Sequence, residues 1–176
     1  MQVSDDLIGV IIQEARSRRL MIATAESCTG GMVAARLTDI PGASDVVDCG
    51  FVAYSNEAKV RMLGVPKQVL AKYGAVSPET AASMAQGAIR HSAARLSVAV
   101  SGIAGPGGGS ESKPVGHIVF ATAFDRNGEG VDLKTVVERF DPALSRSEIR
   151  LQAMGFAVSQ LALALGLVTD LTEGNC

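Results

Sequence analysis

The sequence predicts an α/β fold, a single three-layer α/β/α domain over residues 1–176 with a mixed, mostly parallel sheet. Three observations carry this. Segments with helical apolar spacing alternate with short, partly β-branched apolar runs, the pattern that buries a sheet between helices. The 176 residues are 47% hydrophobic and 19% charged, which is the composition of one compact domain and not of a disordered chain. Aromatics make up only 4% with no Trp, and small residues are frequent, which suits helices packed closely on a sheet.

The elements follow in order. Leu7, Ile8, Ile11 and Ala15 share one face of a helix over 5–19. Leu20 to Glu26 reads as a buried strand, and Gly30 to Asp39 as a helix that stops before Pro41-Gly42. Val46 to Tyr54 is a second strand, and Ser55 caps a short helix through Asn56, Glu57, Ala58 and Lys59. A further short helix runs from Val65-Pro66 to Lys72 and closes at Tyr73-Gly74. Ser77-Pro78-Glu79 starts a helix to about Ala94, with a serine cap, proline at the first position and an acidic first turn. Leu96 to Ser101 is a third strand that empties into the glycine-rich run 102–109. Gly116 to Phe124 and Val131 to Phe140 form an antiparallel pair joined by a turn at Arg126-Asn127-Gly128. Ser145 and Glu148 have capping-box spacing and open a last, nearly buried helix.

Composition excludes several functions. A net charge of -2 and a pI near 5.7 give no footprint for nucleic acid, which needs clustered Lys and Arg. No signal peptide precedes the first helix, so the expectation is a cytoplasmic protein with no membrane partner. The segment Leu151 to Val168 contains Gln152, Ser159 and Gln160, which a membrane span tolerates poorly. Cys28, Cys49 and Cys176 are odd in number and lack C-x-x-C spacing, which argues for a reduced compartment and against structural zinc. With only His91 and His117, neither a His-based metal centre nor a Ser-His-Asp triad has enough parts.

In such folds the reacting groups sit at the carboxyl ends of strands. The first strand ends in Ser27-Cys28-Thr29-Gly30-Gly31, a turn with three possible nucleophiles and two glycines that free backbone N–H groups for a ligand or oxyanion. A serine here needs a base. Lys59 fits, one turn into the helix after the second strand, provided a dry setting keeps it neutral, and Tyr54 could relay the proton. Cys28 is a rival nucleophile without a His partner, and packing is the ordinary fate of such a cysteine. Thr29 could cap the helix or bind a ligand. Ser110 to Lys113 matches the S-x-x-K spacing of serine acyltransferases such as the β-lactamases, but between Gly109 and Pro114 no helix forms to bring the pair together. The glycine run lacks the P-loop pattern and reads as a backbone-lined ligand contact or a surface lid. Arg146 lies in the first turn of the last helix, where the dipole disfavours a cation, with Arg150 one turn on along the same face. The two could hold a phosphate or carboxylate, or Arg146 could pair with Glu148.

Thr24 to Gly31, then Gly50 to Lys59, Gly74 to Ser77, and Ser101 to Pro106 with Lys113 to Gly116 together resemble the CinA C-terminal domain family, over nearly the whole chain. The resemblance implies a nicotinamide-nucleotide amidase that converts nicotinamide mononucleotide to nicotinate mononucleotide and ammonia. It implies Ser27, Tyr54 and Lys59 as catalytic residues, no metal or cofactor, and a homo-oligomer. Substrate contacts are then expected from Thr29, Gly30, Gly31, Asn56, Gly102, Ala104, Gly105 and Arg146. Larger members of the family carry an additional N-terminal domain with pyrophosphatase-like activity, an activity not expected here. Where relatives often have aspartate after the Gly-Pro pair, this chain has Gly107. A non-catalytic nucleotide-binding module tied to competence or DNA damage is the alternative.

Overall fold

The computed structural model describes residues 4–126 and 128–168. Asn127 of the expected turn and Cys176 lie outside the described residues. Six α-helices, α1 (Asp5–Ser17), α2 (Met32–Thr38), α3 (Asn56–Leu63), α4 (Lys67–Tyr73), α5 (Pro78–Arg90) and α6 (Arg146–Leu165), accompany five strands among these residues. The strands are β1 (Ile22–Glu26), β2 (Val47–Val52), β3 (Leu96–Gly102), β4 (His117–Asp125) and β5 (Val131–Arg139).

Serines decide where four of the helices begin. Ser4, Ser55, Ser77 and Ser145 each accept a backbone N–H of the first turn, and Glu148 completes the capping box by accepting the Ser145 N–H. α5 ends at Arg90, short of the expected Ala94. Past it, the Ser92 hydroxyl and the Asp48 carboxylate accept the N–H groups of Ala94 and Ala93, which therefore do not extend the helix. The 3-10 turn at Ala43–Asp45, after Gly42 in the left-handed region, has no counterpart in the sequence reading.

The strand order is β2-β1-β3-β4-β5. β1 pairs parallel with β2 and β3, and β4 pairs antiparallel with β3 and β5, so β4 alone runs against the other four. The mixed, mostly parallel sheet and three layers are those expected. From β1 the chain crosses through α2 on one face to β2, then returns through α3, α4 and α5 on the other face to β3. The carboxyl ends of β1 and its two neighbours therefore surround a crevice of the kind where open α/β sheets place their sites.

The two faces are built differently. Ile22, Leu96, Val98, Val100, Ile118 and Phe120 face α1, α2 and α6. Ala23, Ala25, Ala99, Ala121 and Ala123 face α3 and α5. Large side chains keep the first helical layer away from the sheet by their own bulk; the alanine face lets the second layer settle close to it. Gly87 of α5 extends this close approach to α3, because a Cβ there would lie 2.1 Å from the Leu63 carbonyl oxygen. No helix among the described residues is long and apolar enough to cross a membrane.

Gly87→Ala is expected to lower stability by about 2 kcal/mol, an overpacking cost set against rigid backbone. The measurement is a denaturant titration, read as a lower midpoint at unchanged slope.

Candidate active site

Ser27 begins the turn after β1, and two backbone hydrogen bonds fix its position. Its N–H donates to the Val100 carbonyl of β3 at 2.9 Å, and the Glu26 carbonyl accepts the Ala53 N–H at 2.9 Å. The ends of β1, β2 and β3 are thus tied together at the serine.

Lys59 reaches this point from the next helix. Its Nζ lies 2.9 Å from Ser27 Oγ, 3.0 Å from the Ala53 carbonyl oxygen and 3.2 Å from that of Tyr54. The residue is only 1% exposed, and Ser27 is 9% exposed. None of the three partners is a carboxylate. Burial lowers the Lys59 pKa below the ordinary lysine value. Lys59 Nζ donates to Ser27 Oγ and to the two carbonyl oxygens, so each of its three hydrogens has an acceptor. Ser27 is the only one of these partners that can donate, so loss of one proton from the amine would leave a lone pair for the serine O–H to face.

Cys28 is close but has a different character. It is buried in the core beneath α6, and desolvation pushes its thiol up to about 12, which keeps it a thiol and not a nucleophilic thiolate.

Tyr54 divides its groups. Its carbonyl receives the Lys59 amine, while its side chain, 60% exposed, turns outward so that the phenol oxygen accepts from Arg146 Nη2 at 2.8 Å. The phenol is engaged away from the lysine, and Lys59 reaches Ser27 without it. Arg146 also donates from Nη1 to the Gly105 carbonyl at 2.7 Å, and Glu148 is occupied with its own helix cap. Arg146 therefore joins the glycine loop to the segment after β2 at the mouth of the site.

The turn's N–H groups are largely committed. Gly30 N–H donates to the Ser27 carbonyl. The Glu26 carboxylate accepts from Gly31 and Val33 on one oxygen, and from Ala34 and the Thr24 hydroxyl on the other. The start of α2 expected to face a ligand is thus filled by the chain's own carboxylate, because β1 ends with that side chain pointing beneath the turn. Sequence reading missed Glu26 in this role; the signal was an acidic residue closing a buried strand, four positions before Gly30-Gly31. Thr29 is fully buried, and its hydroxyl oxygen has no hydrogen-bond partner.

The remaining candidates are spread out. Asn56 opens α3 and borders an outward groove with Glu57, Val60, Arg61, Lys67 and Leu70. Gly102 is packed against β4, where a Cβ would come within 2.3 Å of the Ile118 side chain. Ala104 belongs to the core. Lys113 meets Ser110 only through its main chain, its N–H donating to the Ser110 hydroxyl; its amine donates to the carbonyls of Tyr73 and Val76, pinning the loop between α4 and α5.

Fold and site together define a three-layer α/β/α domain organised around a buried serine–lysine pair. The chain belongs to the CinA C-terminal domain family, whose model matches residues 4–165. It is 46% identical over 161 residues to the nicotinamide-nucleotide amidohydrolase PncC of Escherichia coli K12, covering 92% of each chain. A putative competence-damage inducible protein of Caldicellulosiruptor bescii is 47% identical over 82% of this chain, which covers 33% of that protein. The chain spans about a third of the length of several such curated relatives. Among solved structures, the competence/damage inducible protein CihA of Agrobacterium tumefaciens superposes with a TM-score of 0.86 at 46% identity, over 94% of this chain and 98% of that one. A CinA superfamily protein of Escherichia coli does so with 0.82 at 33%, over 93% and 94%.

The lowered Lys59 pKa fixes the sign of one pH effect. Between that value and the unfolded value near 10.4, the unfolded chain holds a proton the native chain lacks, so stability from this group rises with pH across that window. Lys59→Met is expected to be more stable than wild type at neutral pH, with the gap narrowing as pH approaches about 10. Denaturant midpoints of the two proteins across pH test this; a gap that widens with pH contradicts it.

Proposed function

We propose that this chain is a nicotinamide-nucleotide amidohydrolase, converting nicotinamide mononucleotide to nicotinate mononucleotide and ammonia. One observation carries the reading: Ser27 Oγ stands 2.9 Å from the amine of a desolvated lysine whose other partners are carbonyls. The 46% identity to the Escherichia coli amidohydrolase over 92% of each chain supports the substrate class.

Lys59 takes the Ser27 proton as Oγ attacks the carboxamide carbon. The tetrahedral intermediate collapses when the lysine ammonium passes that proton to the amide nitrogen, and ammonia leaves. The acyl-enzyme then meets water, whose proton goes to Lys59 as its oxygen attacks the acyl carbon. Collapse returns the proton to Ser27 and frees nicotinate mononucleotide. Tyr54 and Arg146, linked at the mouth, are placed to meet the ribose phosphate with the Gly105 loop. On this reading Thr29, Gly30 and Gly31 form the turn beside the substrate, whereas Gly102 and Ala104 pack behind the loop and Asn56 borders an outward groove, so these three support the site without touching the substrate. The protein is further proposed to act in the cytoplasm as a homo-oligomer, independent of nucleic acid, metal or cofactor.

Ammonia release from nicotinamide mononucleotide is the direct test. Ser27→Ala and Lys59→Met are expected to reduce kcat by at least ~1,000-fold, and Cys28→Ser to leave it within a few-fold of wild type. A wild type that releases no ammonia would leave the non-catalytic module as the better reading. Arg146→Ala is expected to raise KM about tenfold or more with a smaller change in kcat, as measured by initial rates. The kcat/KM of wild type is expected to rise with pH to a plateau set by a pKa below the usual lysine range, because only the neutral amine can accept the serine proton.

A further inference from the structure

We infer that Arg150 is a positioning residue that holds the Cys28–Thr29 peptide so that the Thr29 N–H, with the Thr29 hydroxyl beside it, is presented to the oxyanion formed at Ser27. Its place in catalysis rests on the serine–lysine reading above.

The N–H groups of the turn can be assigned one at a time. That of Ser27 goes to Val100, that of Gly30 to Ser27, that of Met32 to Thr29, and those of Gly31, Val33 and Ala34 to the Glu26 carboxylate. Among the donors from 27 to 34, the N–H groups of Cys28 and Thr29 are left, and Thr29 also carries a fully buried hydroxyl oxygen without a partner. Buried groups of this kind are ordinarily satisfied, and two on one residue, two positions beyond the nucleophile, mark a place prepared for another molecule's atom. The start of α2 does not serve, since Glu26 fills it.

Arg150 sets the direction of that donor. From α6 it donates through Nε to the Cys28 carbonyl at 3.0 Å and through Nη2 to the Thr29 carbonyl at 2.9 Å. In a trans peptide the C=O and N–H point opposite ways, so a guanidinium on the Cys28 oxygen turns the Thr29 N–H to the far side of the turn. The planar fork grips two successive carbonyls from Nε and Nη2 in a fixed geometry, which the point charge of a lysine does not impose. Its charge also polarises the Cys28–Thr29 peptide, strengthening the donor at the other end. Gly30 completes the arrangement, since a Cβ there would press within 3.3 Å of Arg150 Nη2 and its φ of +63° suits glycine.

The test reads acylation of Ser27 by p-nitrophenyl acetate in the full chain, followed as one equivalent of p-nitrophenolate per protein, so that it stands apart from turnover of the nucleotide. R150Q is expected to slow this burst about 10- to 100-fold, since a misdirected oxyanion donor loses much of its effect. The apparent pKa of its pH profile, which reports Lys59, is expected to stay where it is in wild type. For nicotinamide mononucleotide, the same variant is expected to lower kcat with KM within a few-fold. R150K keeps the charge but not the fork, and its burst is expected to remain at least about fivefold slow. A wild type with no burst, R150Q within twofold of wild type, R150K at the wild-type rate, or an R150Q loss that follows a shifted pKa overturns the inference. If R150Q lacks a thermal unfolding transition, R150K read in the same way decides. A normal burst with no ammonia from the nucleotide overturns the amidase reading alone.

Discussion

A buried carboxylate that meets four donors, none of them charged, sets the position of everything at the strand ends. Glu26 holds the first turn of α2 through its side chain, while its main-chain carbonyl receives Ala53 from the end of β2. One residue thus joins a strand, its neighbour and the following helix. Removing the carboxylate would leave three backbone N–H groups beneath the turn without partners, a cost of several kcal/mol if none were met by water. Ser27 is rigid because its predecessor is bound on every side.

Lys59 is the opposite kind of buried charge-bearing group. Glu26 accepts four hydrogen bonds from uncharged donors; Lys59 sits among two carbonyls and a hydroxyl, with desolvation opposing the cation. On the proposed reading this contrast separates scaffold from chemistry: the carboxylate organises the turn, and the amine exchanges a proton with Ser27.

Much of this was legible in the sequence because the signals were local. Serine caps, the Ser-Pro-Glu start of α5, the Pro41-Gly42 stop and the alternating apolar runs each act over a few residues, and they gave the layers and the strand directions. Ser27 and Lys59 could be paired because each follows the end of a parallel strand, which fixes one end of the sheet for both. Contacts made at long range were not legible. Arg150 reaches Cys28 and Thr29 across more than 120 positions. The turn of the Tyr54 phenol toward Arg146, and the use of Glu26 to fill α2, depend on side-chain direction, which spacing does not encode. The Ser110 to Lys113 match shows the converse, a pattern with the right letters whose lysine is drawn to other carbonyls by the fold.

The alanine face of the sheet bears on the mechanics of the pair. The proposed nucleophile and base belong to different layers, Ser27 to the end of the sheet and Lys59 to a helix lying over it, so any sliding of one layer past the other changes the distance between them. Long interlocking side chains can tilt and give, as bearings do. Methyl groups cannot, and the seat of Gly87 against the Leu63 carbonyl leaves no slack behind α3. The second helical layer is therefore clamped at short reach, and the separation of Ser27 Oγ and Lys59 Nζ is held largely by methyl groups.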